Sequence, residues 1–250
     1  MALVLVTGAS TGLGLATANE LADAGHDVVL HARNAGRLTD RGVRDKVREL
    51  AYGDLSDLDQ TARLAERADG IGRFDAVVHN AGVIDGPSVF AVNTVAPYVL
   101  TALMTPPGRT IVLSSSMHTT GSADLDTVDF SRPDNRRRPY DDSKLYVTAF
   151  ALALARIRPG VLAHAVDPGW VPTRMGGPAA PDSLDEGHHT QVWLATADPA
   201  EIDPRTGGYW YHRTPRRPHR AALDTVFQDA LLSRLHAHTG IPLQPDPAPA

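Results

Sequence analysis

The 250-residue chain contains no cysteine. Disulfides, thiolate metal sites and a cysteine nucleophile are thereby excluded together, and the composition is compatible with a reducing compartment. Lysine is almost missing too. Of 24 basic residues only Lys46 and Lys144 are lysines, so a position that keeps one is informative, and the accompanying Arg, Ala and Pro bias is associated with GC-rich bacterial genomes. No apolar run approaches the roughly 18 residues that span a bilayer. Residues 1–6 lack a basic leader and run straight into a glycine-rich turn, so they read as a first strand and not as a signal peptide, and a cytoplasmic protein is expected. Basic charge is in deficit: the net charge of −5 argues against nucleic acid or an anionic membrane as the main partner. What is present, 42% hydrophobic and 21% charged residues, is ordinary for a soluble globular domain, and this length buries roughly 70–75% of the unfolded chain's surface.

Short apolar runs at 2–6, 27–31, 49–52, 75–79, 110–114, 161–166 and 208–212 alternate with helical patterns at 12–24, 59–68, 89–104, 140–156, 183–196 and 221–238. This alternation predicts a single-domain α/β fold of Rossmann type: a doubly wound, parallel, seven-stranded sheet with helices on both faces, and ligands at the carboxyl ends of the strands. The domain is expected over 1–240. The breaker-rich stretch 171–187 is too long for a tight connection and reads as a substrate lid. The Pro-rich end, 241–250, is expected to be a poorly ordered tail.

Directly after the first strand, Thr7-Gly8-Ala9-Ser10-Thr11-Gly12-Leu13-Gly14 opens a helix whose free N–H groups and dipole favour a phosphate. A glycine turn alone is weak evidence, because strand-to-helix turns need glycine for steric reasons as well. Tyr140 and Lys144 lie four residues apart and share one face of a helix. That spacing alone is also weak, since a half-buried tyrosine beside a snorkelling lysine is common. An ammonium about 4 Å from a phenol is worth roughly 4 kcal/mol at an effective dielectric of 20, about three pKa units, and is expected to bring the phenol toward working pH. The buried strand within 109–115 ends in the hydroxyls of Ser114 and Ser115, followed by Ser116, on the face where a ligand belongs.

Taken together, the Gly-x-x-x-Gly-x-Gly turn, the Tyr-x-x-x-Lys pair and the stretch Ser114-Ser115-Ser116-Met117-His118-Thr119-Thr120-Gly121 resemble the short-chain dehydrogenase/reductase superfamily over most of the chain. Within it, the Ser-Ser-x-x-His-x-x-Gly pattern resembles the retinol-dehydrogenase-like and ketoreductase branch, and the stretch 207–240, with Tyr209-Trp210-Tyr211-His212 and a following helix, resembles actinobacterial ketoreductases, daunorubicin C-13 ketoreductase-like proteins included. The resemblance implies that Gly8, Ser10, Thr11, Gly12, Leu13 and Gly14 cradle a dinucleotide. It implies that Asp54 and Leu55 lie on the adenine side, and that Asn80, Ala81 and Gly82 follow the family's Asn-Asn-Ala-Gly motif with His79 in the place of its first Asn. Arg33, with Asn34 or Arg37 assisting, matches the position that selects NADP(H), and the strand end shows no carboxylate to compete with it. Pro168, Gly169, Val171 and Thr173 are implied to face the nicotinamide. The implied catalytic set is Asn93, holding a water that relays protons to Lys144, together with Ser115, Tyr140 and Lys144, with Ser114 or Ser116 as alternatives to Ser115.

The expected activity is NADP(H)-dependent reduction of a ketone or aldehyde, apolar or ring-containing, with Tyr140 as proton donor. An alcohol dehydrogenase running oxidatively and a non-enzymic NADPH sensor are the rivals. Trp170, Met175, Trp193, Tyr209 and Trp210 are candidates for an apolar pocket wall, and the arginine run 136–138 reads as a solvated loop. The connection 83–88 is shorter than usual for the family, so a monomer or homodimer is expected in place of a tetramer. No metal site is expected, because the adjacent His188 and His189 should not face one point from a helix.

Overall fold

A computed structural model of the chain describes residues 1–38 and 40–245, with Arg41 described by its backbone alone. Its strands are β1 (Leu3–Val6), β2 (Asp27–Ala32), β3 (Glu49–Tyr52), β4 (Ala76–His79), β5 (Arg109–Leu113), β6 (Leu162–Asp167), β7 (Gly208–Tyr211) and β8 (Thr214–Arg216). They form one sheet in the order β3-β2-β1-β4-β5-β6-β7-β8. The first seven are parallel, as expected, and the order reverses between β1 and β4, which opens a crevice at their carboxyl ends. The helices are α1 (Gly12–Asp23), α2 (Arg41–Lys46), α3 (Leu58–Ile71), α4 (Ala96–Leu103), α5 (Pro139–Ile157), α6 (Leu184–Thr196), α7 (Arg220–Leu223) and α8 (Thr225–Thr239).

Because both faces of the parallel strands are covered, alternate residues supply two cores. Val4, Val6, Val28 and Leu30 pack with Leu21 of α1 and Val192 of α6 on one side. Leu5, Val29 and Val77 pack with Leu64 of α3 and Leu100 of α4 on the other. That second side is completed by α5, where every residue from Asp141 to Leu154 is buried, with α8 packed against it through Leu231 and Leu235.

The eighth strand, β8, was not expected. It runs antiparallel to β7 through a two-residue turn in which His212 and Arg213 both take positive φ, 47° and 58°. Such turns usually carry Asn-Gly or Asp-Gly, so this pair gave no hairpin signal. The backbone N–H of Arg213 donates to Thr190 Oγ1 at 3.0 Å, and the Tyr211 and His212 rings stack, which holds the turn. The helix expected over 221–238 is two helices, because Asp224 turns extended and its carboxylate accepts the N–H of Val226 as the cap of α8. The irregular stretch expected to act as a lid is shorter than 171–187: Ser183 caps α6, so residues 184–187 are its first turn and the irregular part is 171–183. The first half of the expected tail is docked. Ile241 accepts a hydrogen bond from Tyr98 Oη at 2.6 Å, Gln244 accepts one from Arg158 Nε at 2.8 Å, and Leu243 packs on the core; residues 246–250 lie outside the described residues.

The arginine run departs most from expectation. Arg136 is not solvated: its Nε donates to Asp142 Oδ2 at 2.7 Å, with side chains 9% and 3% exposed. Asp142 Oδ1 also accepts the N–H of Ser122. An uncompensated buried arginine is costly, so Asp142→Ala should lower the unfolding free energy by about 3 kcal/mol in urea titration; a loss under about 1 kcal/mol would show a pair that behaves as a surface one.

Candidate active site

The turn between β1 and α1 needs its glycines. Gly8 has φ +64° and a Cβ there would meet Ala81 Cα at 2.7 Å; Gly12 has φ +58° and a Cβ would press on Thr173 Cγ2 at 3.1 Å. His31 of β2 holds the turn in place. Its Nδ1 accepts the Gly8 N–H at 3.1 Å and its Nε2 is 2.9 Å from the Gly53 carbonyl, an arrangement that suits the neutral ring and one tautomer. Burial holds this imidazole below its usual range. From β4, Asn80 Nδ2 donates to the Thr7 carbonyl at 2.8 Å and the Ala81 N–H to Thr7 Oγ1 at 3.1 Å. Two neighbouring strands thus fix the turn.

At the other end of the crevice, Tyr140 and Lys144 share a face of α5, with Nζ 5.5 Å from the centroid of the phenol ring. Nζ donates to the carbonyl of Leu113, the last residue of β5, at 2.7 Å, and Lys144 is 4% exposed. Burial pulls this ammonium down to about 8, with Asp167 opposing that shift. The expected lowering of the phenol does not occur in the protein itself. Burial pushes Tyr140 up to about 12; a hydrogen bond with Ser115 works the other way, and the charges of Asp167 and Asp141 add to the rise. Desolvation of the phenolate outweighs an ammonium that is already committed to a carbonyl.

Among the three serines the geometry separates sharply. Ser114 is buried, with its hydroxyl 2.6 Å from Thr148 Oγ1, and Ser116 begins an exposed 3₁₀ turn. Ser115 caps that turn by accepting the Met117 N–H at 3.2 Å, and its hydroxyl favours the charged form of Tyr140. His118 clamps it from behind: Nδ1 is 2.7 Å from the Ser115 carbonyl, and Nε2 accepts the His219 N–H at 3.0 Å. The last residue of the pattern, Gly121, is needed for contact, since a Cβ would lie 2.7 Å from the Asp141 carbonyl of α5.

One cavity of about 430 Å³ runs from Arg33, Asp54 and Leu55, past Gly8, Ser10, Thr11, Gly12, Leu13 and Gly14, to Asn80, Ala81, Gly82, Tyr140, Lys144, Pro168 and Thr173. Five expected site residues do not line it. Asn34 is exposed, and Gly169 is set back, its N–H held by Asp167 Oδ1 at 3.0 Å. Val171 is 4% exposed and turned toward Gly187 of α6. Ser115 lies outside the lining, whereas Ser114 is part of it. Asn93 lies in a π-helical turn over Ala91–Val95 inside the helix expected at 89–104, and its carboxamide is already spent: Oδ1 accepts the Val83 N–H, and Nδ2 donates to the Val83 carbonyl and Ser143 Oγ, each at 2.9 Å. Arg33 also has an acidic neighbour after all, Asp54, whose Oδ2 is 3.7 Å from Nε. Asp54 belongs to the next strand's end, out of view of the β2 sequence.

The family model described as short chain dehydrogenase matches residues 2–183. The chain belongs to the short-chain dehydrogenase family. A short-chain dehydrogenase of Gibberella zeae is 35% identical over 97% of this chain and 99% of its own length. A daunorubicin C-13 ketoreductase-like protein of Streptomyces is 34% identical over 84% of this chain and 83% of its own. In fold, the chain resembles a short chain dehydrogenase of Burkholderia cenocepacia solved in complex with NADP, with TM-score 0.67, 22% identity, and coverage of 83% of this chain and 94% of that one.

The residues present fit the dinucleotide of this family. No side chain caps α1, whose first N–H groups at Gly12, Leu13 and Gly14 open on the cavity. Sequence reasoning missed His31 as the clamp of the short-chain dehydrogenase turn, and missed Arg174, which lines the cavity beside the expected Met175. Met175 Sδ lies 3.9 Å from Tyr140 Oη. Only the lid's path, set by tertiary contact, reveals Arg174. Of the five expected pocket aromatics and methionines, Trp170 and Met175 are exposed at the rim, whereas Tyr209 and Trp210 are core and Trp193 packs edge-on against Trp210.

His79, the departure from the family's first Asn, ends β4 with Nε2 3.3 Å from Thr101 Oγ1 and Nδ1 without a partner. Burial pulls it down to about 4, and His164 of β6 likewise. Both rings are neutral in the fold, while the unfolded imidazoles protonate near pH 6.5. Their stabilisation is therefore fully present above about pH 6.5 and is lost as pH falls toward 4. His79→Asn should shrink the stability lost across that window by about 3 kcal/mol, read from urea midpoints at several pH values. An unchanged pH slope would mean that the ring does not titrate with unfolding.

Proposed function

We propose that the protein is an NADPH-dependent carbonyl reductase, an enzyme that reduces a ketone or aldehyde to an alcohol through Ser115, Tyr140 and Lys144. The observation that carries this is the phenol of Tyr140, lying with the Lys144 ammonium 5.5 Å from its ring centroid at the end of the cavity and pushed up to about 12. Such a phenol carries its proton at neutral pH and is a stronger acid than the alcohol that would form, which favours reduction. Bound NADPH supplies the hydride. A carbonyl oxygen set against Ser115 Oγ and Tyr140 Oη accepts a hydrogen bond from each, and Tyr140 passes its proton to that oxygen as negative charge develops there. Lys144, fixed on the Leu113 carbonyl, sits near enough to stabilise the phenolate left behind. Asn93 acts as a brace for Val83 and Ser143 and so for the register of α5.

NADPH over NADH is supported by Arg33 and Arg37 at the far end of the cavity and by the NADP in the Burkholderia structure. The pairing with Asp54 at 3.7 Å leaves Arg33 46% exposed and available to a phosphate. An apolar substrate is supported by Ile84 and Met175, which line the cavity and are both at least 40% exposed. Relatives of both fungal and Streptomyces origin leave the source association with composition alone. Among the described residues no helix is long and apolar enough to cross a membrane.

Tyr140→Phe should reduce turnover of an aromatic ketone by at least about a hundredfold, with NADPH affinity by fluorescence titration changed less than about twofold. Wild-type rates in this variant would assign the proton to another group, and tight NADPH binding by the wild type without turnover of any carbonyl would favour the sensor. Arg33→Asp should shift the kcat/KM ratio of NADPH to NADH by about a hundredfold toward NADH, the worth of one or two charge-assisted contacts to a 2′-phosphate. An unmoved ratio would place the phosphate on a different cation.

A further inference from the structure

Contrary to expectation, the adjacent His188 and His189 of α6 do face one point. Their Nε2 atoms lie 2.7 Å and 3.6 Å from the same oxygen, Oε2 of Glu20 on α1. The three potential ligand atoms are all within 4.8 Å of one another. This cluster sits on the α1–α6 seam, and none of its residues lines the cavity of Tyr140.

Two further observations concern how its atoms are satisfied. His188 has a side chain only 8% exposed, and its Nδ1 is 2.8 Å from the Leu184 carbonyl. The proton therefore sits on Nδ1, and Nε2 of the neutral ring presents its lone pair to the cluster. Glu20 Oε2 is closed off from solvent yet has no hydrogen-bond partner. A lone pair and an anionic oxygen thus meet at 2.7 Å, an arrangement that needs positive charge between or upon them.

We propose that Glu20, His188 and His189 bind one divalent transition-metal ion of the zinc class, with water in the fourth position. Two imidazole nitrogens and a carboxylate oxygen are a donor set suited to Zn²⁺. The Leu184 carbonyl on Nδ1 is the outer partner that fixes the tautomer of a ligating histidine. Tetrahedral ligands at about 2.0–2.1 Å stand roughly 3.3 Å apart. His189 and Glu20 are 45% and 34% exposed, free to adjust to that spacing and to admit the ion from solvent. The ion would join α1, whose first turn is the glycine turn, to α6, which follows the lid, so its effect is structural. The competing arrangement is a second proton on His188, giving an imidazolium–carboxylate pair. The proposal is independent of the reductase reading.

The test uses tag-free full-length protein stripped with a chelator and titrated calorimetrically with ZnCl₂, with Co²⁺ absorption as a report of tetrahedral geometry. Expected are one equivalent bound, at least about tenfold weaker binding in His189→Ala and in Glu20→Gln, and a Tm gain of roughly 5 °C with saturating Zn²⁺ in the wild type only. No stoichiometric binding below about 100 μM would overturn the proposal and leave the protonated pair. Binding of equal strength in both variants would overturn it as well, by moving the ion elsewhere.

Discussion

The arrangement of the site depends on one buried ammonium. Among the described residues the Lys144 ammonium donates to the Leu113 carbonyl at the carboxyl end of β5, a contact that ties α5 to the sheet at the site. Burying a cation on a neutral acceptor is unfavourable enough to draw its pKa down to about 8. It persists because α5 is covered along fourteen consecutive residues, Asp141–Leu154, whose packing no local rearrangement could recover. With the helix held in this way, Tyr140 one turn earlier has a single place to be, beside Ser115.

Backbone clamps do the remaining positioning, and each uses a side chain with both of its polar ends engaged. Neutral His31 links Gly8 to Gly53, so the phosphate-side turn, β2 and the end of β3 move as one. His118 links the Ser115 carbonyl to the His219 N–H. Asn93 joins Val83 to Ser143 across a π-helical turn, a local widening that places a carboxamide where a regular helix would turn it elsewhere. Each clamp relies on hydrogen bonds that are buried or partly buried, where a lost partner is costly. Rigidity at the site follows from that cost.

Much of this was legible in the chain. Strand and helix order followed from apolar alternation, because parallel strands covered on both faces leave a strong signal. Tyr140, Lys144 and the serine run lay at spacings that place them together without knowledge of the sheet. The misses share a cause: they are side-chain contacts that neither periodicity nor composition shows. Arg136 looks like part of a solvated run until Asp142 is seen beside it, and Asp54 is invisible from the end of β2 although it neighbours Arg33. The β7–β8 hairpin carries His212 and Arg213 at positive φ, which local propensity disfavours and tertiary bonding enforces. His188 and His189, judged from helix periodicity alone, diverge; α1 supplies the carboxylate on which they converge.

The electrostatic balance around the phenol bears on direction. Asp167, buried at the end of β6 with Tyr209 Oη at 3.2 Å and the Gly169 N–H on its oxygens, raises both Tyr140 and Lys144 while burial raises its own carboxyl. The same carboxylate therefore keeps the proton on the phenol and helps keep the charge on the amine. Those two effects are complementary for a proton donor: the acid stays loaded before the reaction, and the cation that stabilises its conjugate base is retained. For a base catalyst they conflict, since the phenolate must form beside a buried anion. On the proposed reductase reading, the protein's own charges thus favour delivery of a proton over its removal, and an oxidative direction would need positive charge brought in with the ligand.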